Sequence, residues 1–371
     1  MAPSVGIGVS VTPSRYWAAT VEAIEKFTSI DDTVTVTAVG DTISATITTR
    51  HARLRVVRHV DWFVADVGEH TMSPTARQLK DRRYRISESA GWHTSTDHCT
   101  PARKASRTVL SQAAISGSVN TGSFSDQLTV LVGSPAVANI QLAATAVGAI
   151  GLSTRSPIIA SAVSTGPVDD TAAAVSLPAE LAAALAVLVA DEPADRPLTV
   201  TVDPAKATIS AATSDTTITI TARTAEPAGP WPTRPEPDLQ RHDLIVTDLT
   251  DWHALTDHPV TTPPFPTAHL RWDAPTGLLT VLARIGTTTV DLGLPATSSD
   301  RFAVDVPWPA LHALLAGAGH ADQAGLRYFE PNPTLTFLIA DYRVGEFAGF
   351  ATVGARRPDN RLNGGFSATG H

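Results

Sequence analysis

The stretch Ala174-Val175-Ser176-Leu177-Pro178 decides the fold, because a short strand-forming run ends there in proline. The same pattern recurs at Val9-Ser10-Val11-Thr12-Pro13 and at Ala303-Val304-Asp305-Val306-Pro307. Proline suits the first turn of a helix, since its missing N–H would be unpaired there anyway. Each copy therefore predicts a strand that passes directly into a helix, and three alternating segments follow each helix.

The full pattern of one strand, one helix and three strands occurs five times along the chain. In the first copy we place a helix over Ser14–Thr28 and strands at Thr33–Val36, Thr42–Ile47 and Leu54–Val57, with a turn at Gly40-Asp41. The remaining copies are predicted to have helices at Ala105–Ser116, Pro178–Ala190, Asp251–Leu255 and Leu311–Leu315, and strands at Leu128–Val132, Ala138–Ala143, Gly148–Ser153, Leu198–Val202, Ala207–Ala211, Thr216–Ala222, Leu244–Thr247, Ala268–Trp272, Leu278–Arg284, Thr288–Leu292, Leu326–Phe329, Leu335–Ile339 and Glu346–Val353.

Composition limits the class of protein. The chain has 371 residues, 43% of them hydrophobic, which is enough for more than one core because single cores stop growing near about 250 residues. Its net charge of −8 argues against a protein coated in positive charge, although a local basic lining is compatible with that total. A lone Cys99 cannot form an internal disulfide, no apolar run is long enough to span a bilayer, and Met1-Ala2-Pro3 begins no signal peptide. We therefore expect a soluble, cytoplasmic, multidomain protein.

Catalytic signals are sparse. Asp97-His98-Cys99 brings an acid, a base and a thiol together, but adjacent residues do not normally face one another, and no Cys-x-x-Cys spacing accompanies them. Gly6-Ile7-Gly8 lacks the third glycine of a nucleotide-binding loop. We expect no enzymatic activity, no cofactor and no metal site.

Four segments carry a resemblance to a known family. Leu142-Ala143-Ala144-Thr145 resembles a strand that the family writes Leu-x-Ala-Thr-Asp, and Val175-Ser176-Leu177-Pro178 resembles its Val-Pro before a helix. Trp231-Pro232 resembles its closing Phe-Pro, and Phe347–Val353 resembles its final strand, which normally ends in Met-Pro-Val. The order of these motifs, together with the repeated unit, is similar to the DNA sliding clamp of the bacterial polymerase III beta type.

The resemblance implies an α+β, DNA-clamp-like fold, in which repeated β-α-β-β-β half-domains place their helices on one face of curved antiparallel sheets. It divides the chain into a clamp half-domain at 1–67, a linker or inserted basic segment at 68–102, complete clamp domains at 103–237 and 238–355, and a disordered tail at 356–371. The first half of the first domain is then missing, so either this protein does not close the usual ring or the segment 68–102 substitutes for the lost module. Since such rings close as dimers, we expect a homodimer in which an exposed edge strand with Leu54 and Val56 pairs with the last domain of a neighbouring chain.

Encirclement of double-stranded DNA implies helices that present Lys and Arg to phosphates without reading bases. The candidate DNA contacts are Arg15, Lys26, Arg82, Arg83, Arg85, Arg103, Lys104 and Arg107. The predicted helices from Pro178 onward carry no Lys or Arg, which departs from the family. The basic run Arg77–Arg85 is either a solvated linker or a contact for nucleic acid or an acidic partner.

The second working surface of the family is a hydrophobic pocket that receives a short peptide of polymerases and repair proteins. Residue by residue, the resemblance assigns this pocket to Thr145, Ile150, Leu152, Trp231, Pro232, Phe350 and Val353. Ala146 stands where the family has Asp, and Ala149 stands where it often has Arg. The alternative is that these seven are ordinary core and edge residues.

The resemblance therefore implies a DNA sliding clamp, a processivity factor that tethers DNA polymerase and repair proteins to double-stranded DNA. The alternative is a clamp-fold interaction module that does not encircle DNA but binds clamp-binding peptides and so regulates replication or repair. The order of the motifs favours the first, and the shortage of basic residues on the predicted helices favours the second. Neither interpretation involves a membrane.

Overall fold

In the residues that the structure describes, strands outnumber helices. The computed structural model describes residues 33–49, 52–72, 114–133, 137–156, 159–169, 171–222, 229–234, 241–246, 266–285, 287–298, 303–318, 324–332 and 335–355. The strands are β1 (Thr33–Thr48), β2 (Ala52–Met72), β3 (Ile115–Asn120), β4 (Asn139–Ala144), β5 (Ile150–Arg155), β6 (Ile159–Ser164), β7 (Ala173–Pro178), β8 (Pro197–Asp203), β9 (Thr208–Ala212), β10 (Thr216–Ala222), β11 (Arg241–Val246), β12 (Thr267–Asp273), β13 (Leu278–Ile285), β14 (Thr288–Ser298), β15 (Ala303–Pro307), β16 (Ala324–Asn332), β17 (Leu335–Val344) and β18 (Phe347–Ala355). The helices are α1 (Thr121–Val132), α2 (Ala179–Ala190) and α3 (Trp308–Ala318).

The chain divides into two compact units. The first unit comprises Met1–Leu128, Gln141–Ile150 and Pro167–Gly229, and the second comprises Thr129–Ile140, Gly151–Gly166 and Pro230–His371. In the first unit six strands form an antiparallel sheet in the order β1-β2-β10-β9-β8-β3. In the second unit the strands follow one another in the order β15-β12-β13-β14-β11-β16-β17-β18-β6-β5, again with antiparallel neighbours.

The strand-proline-helix signature is confirmed at both of its places within the described residues. Pro178 ends β7 and is the N-cap of α2, with φ −51° and ψ 144°, so the chain leaves the extended conformation at the proline. Pro307 ends β15 directly before α3. The predicted apolar face of α2 is also confirmed, because Leu181, Leu185 and Leu188 are fully buried.

The β-α-β-β-β order of the repeated unit occurs in full in the second, third and fifth copies, close to the predicted residues in the third and fifth but at different residues in the second. These copies are β3-α1-β4-β5-β6, β7-α2-β8-β9-β10 and β15-α3-β16-β17-β18. The fourth copy shows β11 and the strands β12, β13 and β14, and its predicted helix at Asp251–Leu255 lies outside the described residues. Neighbouring copies exchange their first strands: β3 pairs with β8, β15 pairs with β12, and β11 pairs with β16.

The first copy differs from its prediction. The two strands predicted at Thr33–Val36 and Thr42–Ile47 form the single strand β1, and the predicted turn at Gly40-Asp41 is an irregularity within it, where the pairing with β2 shifts register. Glycine in a strand tolerates such an irregularity without turning the chain. Strand β2 also continues to Met72, beyond the predicted end of the half-domain at residue 67.

The secondary structure predicted for the start of the second copy is wrong. The segment Ile115–Asn120 is strand β3, where the end of a helix was expected, and the strand expected at Leu128–Val132 is the end of helix α1. The β-branched residues near the end of α1 suggest a strand, but Phe124, Leu128 and Leu131 have helical spacing and are buried. Burial of one helical face therefore outweighs local strand preference here.

A buried polar cluster joins β2 to the loops that follow α2 and β9. The guanidinium of Arg58 donates to Glu192 Oε1 at 3.1 Å and to Thr216 Oγ1 at 3.3 Å, and Thr216 Oγ1 donates to the same carboxylate at 2.6 Å. Arg196 Nη1 donates to Glu192 Oε2 at 3.0 Å and also bonds Asp215. Hydrogen bonds from Ser214 and Arg196 hold the pKa of Asp215 below its ordinary value. Glu192 therefore accepts bonds from both arginines of the cluster.

We expect Glu192→Ala to lower the free energy of unfolding of the first unit by about 3 kcal/mol, because it removes the central acceptor of a buried cluster. The matched control is Lys206→Ala, which removes an ion pair with Asp203 that has an N–O distance of 2.9 Å and a lysine side chain 78% exposed. That control should cost less than about 1 kcal/mol. Urea denaturation followed by circular dichroism measures both. Equal losses for the two variants would contradict the structural importance of the cluster.

Candidate functional site

Strands β6, β18 and β17 present one row of side chains from three neighbouring strands. Ala162 on β6 lies opposite Phe350 on β18, and Phe350 lies opposite Asp341 on β17. Directly opposed residues of antiparallel strands point to the same side of a sheet, so these three share one face. Ile339 lies two residues before Asp341 on β17 and therefore shares this face too.

Trp231 packs on this face. It packs against the cluster of Ala162, Ile339 and Phe350, which are 4%, 3% and 7% exposed, while Trp231 itself is only partly buried. The neighbouring Pro232 is buried. We call the surface formed by Trp231, Ala162, Ile339 and Phe350 the Trp231 platform. A partly buried indole on buried apolar side chains can offer apolar area to a binding partner.

An ion pair holds the segment that carries Trp231. Arg234 Nε donates to Asp341 Oδ1 and Arg234 Nη2 donates to Asp341 Oδ2, each at 2.9 Å. This bidentate geometry matches the planar guanidinium to the planar carboxylate. The segment is therefore attached at two points, through the indole and through the guanidinium.

The structure places two predicted pocket residues on the opposite face of these strands. Leu152 lies opposite Val163, and Val353 lies opposite Ile159. Val353 is an odd number of residues from Phe350 on β18, so its side chain points to the other side of the sheet. Both side chains are buried. On that side, Ser161 Oγ lies 3.1 Å from Tyr342 Oη, so polar contacts also occur within the interior.

Two further predicted pocket residues, Thr145 and Ile150, belong to the first unit. Thr145 opens a tight turn that ends at Ala149, where the amide of Ala149 donates to Thr145 Oγ1 at 3.0 Å. Gly148 has a φ of +86°, a conformation that favours glycine. Ile150 is fully buried. Of the seven residues predicted for the pocket, the structure brings together Trp231 and Phe350 in the second unit, and Pro232 follows Trp231 in the chain.

None of the residues predicted to bind DNA can be placed. Arg15, Lys26, Arg82, Arg83, Arg85, Arg103, Lys104 and Arg107 all lie outside the described residues, as does the basic run Arg77–Arg85. The helices that the structure describes contain no Lys or Arg, and α1 and α2 each carry one acidic residue, Asp126 and Glu180. The predicted shortage of basic residues therefore extends to α1.

The prediction that Leu54 and Val56 lie on an exposed edge strand is wrong. Strand β2 is an inner strand, paired with β1 on one side and with β10 on the other, and both side chains are buried within the first unit. Alternation of apolar and polar residues predicts the buried face of a strand, but it does not predict how many neighbours the strand has. Within the described residues, the outer strands of this sheet are β1 and β3.

The described part of the chain contains neither a metal site nor a membrane-spanning helix. No group of three or more His, Cys, Asp or Glu side chains there is arranged to hold a metal ion. The candidate thiol site Asp97-His98-Cys99 lies outside the described residues. Among the helices described, none has the length and apolar character needed to cross a membrane.

Strand β6, which sequence patterning did not predict, approaches β18 very closely. A Cβ added to Gly349 would collide with the carbonyl oxygen of Ala162 and would lie 2.7 Å from the Cα of Val163. The small residues of Ile159–Ser164 gave only a weak strand signal, yet small residues let the two backbones meet here. The β6–β18 pair therefore supports the Trp231 platform from below.

We expect Gly349→Ala to lower the free energy of unfolding of the second unit by about 2 kcal/mol or more, because backbone atoms cannot move aside as flexible side chains do. Gly354→Ala is the matched control on the same strand, since a Cβ there meets nothing within 4 Å. Urea denaturation gives both free energies, and hydrogen exchange of the β6 amides locates the change. A control variant as unstable as Gly349→Ala would contradict the close approach.

Comparison with solved structures finds the same architecture in bacterial replication proteins. A Pseudomonas aeruginosa sliding clamp, DNA polymerase III subunit beta bound to griselimycin, has 14% sequence identity and a TM-score of 0.60, and the match covers 95% of this chain and 100% of that one. The beta subunit of Streptococcus pyogenes DNA polymerase has 10% identity and a TM-score of 0.60, covering 91% of this chain and 98% of that one. The beta subunit of Thermotoga maritima DNA polymerase III has 8% identity and a TM-score of 0.58, covering 92% and 97%.

Sequence comparison adds nothing to this likeness. No protein-family model matches the chain, and no curated protein matches it. At sequence identities of 8–14%, it is the similarity of the structures that shows the shared fold. The chain has the α+β fold of the bacterial DNA polymerase III beta sliding clamps.

Proposed function

We propose that this protein is a DNA sliding clamp, a processivity factor that tethers polymerases and repair proteins to double-stranded DNA. The observation that carries the proposal is the extent of the structural match, which covers 91–95% of this chain and 98–100% of two solved clamps. A likeness over nearly the whole of both chains is what a shared assembly requires. In this role the protein acts without catalysis, in the cytoplasm, and without reading DNA sequence.

The Trp231 platform supports the proposal that this protein binds partner proteins. A flexible peptide binds a protein surface by burying a few apolar anchors, each contributing roughly 1.5 to 3 kcal/mol when fully buried. Trp231 offers a partly exposed indole, and Phe350 supports it from the sheet. The proposed partners are DNA polymerase and other proteins with clamp-binding peptides.

DNA contact is proposed for the basic residues outside the described ranges. These are Arg15, Lys26, Arg82, Arg83, Arg85, Arg103, Lys104 and Arg107. Contacts of Lys and Arg with phosphates release counterions, so binding should weaken steeply as salt concentration rises.

A second candidate function is an interaction module that keeps the peptide surface but does not encircle DNA. One observation favours it: α1, α2 and α3, the helices that the structure describes, contain no Lys or Arg. A helix without cations offers phosphates little attraction across a hydrated gap. The two functions differ in whether the protein is held on DNA by topology.

We expect the protein to remain on nicked circular DNA in the presence of the host clamp loader and ATP, and to be lost when the circle is cut once. A closed ring can leave a circle only by opening, whereas it slides off a free end. Electrophoretic mobility before and after cleavage measures this. Retention that is equal on circular and linear DNA, or absent from both, would contradict the clamp and favour the interaction module.

We also expect a homodimer in solution, because the resemblance to the sliding-clamp family implies a ring closed by two chains, and symmetric closure needs a second copy. Sedimentation equilibrium at micromolar concentration measures the mass directly. A strictly monomeric protein under these conditions would count against ring closure.

A further inference from the structure

The Arg234–Asp341 ion pair joins the segment of Trp231 to the strand beside its platform. Both bonds are 2.9 Å long, and they use two different nitrogens of the guanidinium and both oxygens of the carboxylate. Such a fork fixes orientation as well as distance, because both planar groups must align. A single point charge would leave the segment free to pivot.

The position of Asp341 makes this ion pair relevant to the platform. Asp341 lies directly opposite Phe350 and two residues after Ile339 on the same strand, so all three side chains share one face. Trp231 packs against the cluster that contains Ile339 and Phe350, and only two residues separate it from Arg234. The indole and the guanidinium are therefore held on adjacent parts of one surface by one short segment.

Global stability gives little reason for this pair. The side chains of Arg234 and Asp341 are 36% and 30% exposed, so water screens their attraction. A partly exposed ion pair of this kind contributes little to folding, but its bidentate geometry still restricts where the segment can lie. The ion pair therefore acts mainly by fixing the position of its segment, and with it the side chain of Trp231.

We propose that the Arg234–Asp341 ion pair is a latch that positions Trp231 for ligand binding on the Trp231 platform. Arg234 and Asp341 are positioning residues that act through Trp231. The part of this proposal that concerns a ligand rests on the proposed function. With the latch closed, the indole is ordered before a ligand arrives, so binding does not have to order it. When the ion pair is broken, the ligand has to order the indole as it binds, and the entropy lost in that ordering weakens the complex.

The latch is tested without any ligand by fluorine NMR of protein labelled with 5-fluorotryptophan. The chain has seven Trp residues, and Trp231→Phe identifies the resonance of Trp231 by its disappearance. We expect Asp341→Asn and Arg234→Gln to shift or broaden that resonance. Arg234→Lys, which keeps the charge and loses the fork, should shift or broaden it as well.

Arg343→Gln is the matched control. Arg343 is an exposed arginine on β17, two residues from Asp341 and on the same face, and its Nε donates to the carbonyl of Gly345 at 3.0 Å. Its loss should leave the Trp231 resonance unchanged. The double variant Arg234→Asp with Asp341→Arg restores an ion pair in reverse and should recover part of the original signal. An unchanged resonance in both Asp341→Asn and Arg234→Gln would overturn the latch.

The ligand part is tested with griselimycin, which is bound in the solved Pseudomonas aeruginosa clamp. Isothermal titration calorimetry should show that Asp341→Asn and Arg234→Gln bind griselimycin about three- to tenfold more weakly than the wild-type protein. The melting temperature of these two variants should be unchanged, and Arg343→Gln should bind griselimycin with the wild-type affinity. Tighter binding by the latch variants would mean that the segment competes with the ligand, and it would overturn the proposal. Failure of the wild-type protein to bind griselimycin would overturn the ligand part, while the NMR result would still decide the positioning of Trp231.

Discussion

The exchange of first strands between neighbouring copies is the constraint on which the rest of the fold depends. Strand β3 completes the sheet of β8, β9 and β10, while β15 completes that of β12, β13 and β14. A single copy by itself would leave an open edge of unpaired N–H and C=O groups beside a thin apolar layer. Two copies close each other's sheets, so the pair is the smallest part of this chain that can bury a complete core.

Local patterning predicts most of this fold because each element of a well-formed copy carries its own signal. The third copy is predicted within about two residues at every boundary, since β8, β9 and β10 alternate in polarity and Pro178 marks the start of α2. The failures occur where two signals compete. In α1 the β-branched residues favour a strand while the buried spacing of Phe124 and Leu128 favours a helix, and tertiary burial decides between them.

The candidate site was harder to predict than the fold, because it depends on register between strands that are distant in sequence. The resemblance identified Trp231 and Phe350, but it gave no sign of Ala162, Ile339 or Asp341, which reach the platform only through the pairing of β6, β18 and β17. The alternation of side chains along a strand predicts that Val353 and Phe350, three residues apart on β18, face opposite sides of the sheet. The number of neighbours of β2 had no comparable signal in the sequence.

The buried cluster around Arg58 has a consequence for how β2 finds its place. Because side chains alternate with a period of two, a slip of two residues between β2 and β10 would return every apolar residue to the interior, and hydrophobic patterning alone could not reject it. Such a slip would move Arg58 by about 7 Å along the strand, so that its buried charge would lose Glu192, and Glu192 would keep only Arg196 of its two arginine partners. The Arg58–Glu192 ion pair therefore selects one register of β2 on β10 from several that would bury the same apolar side chains.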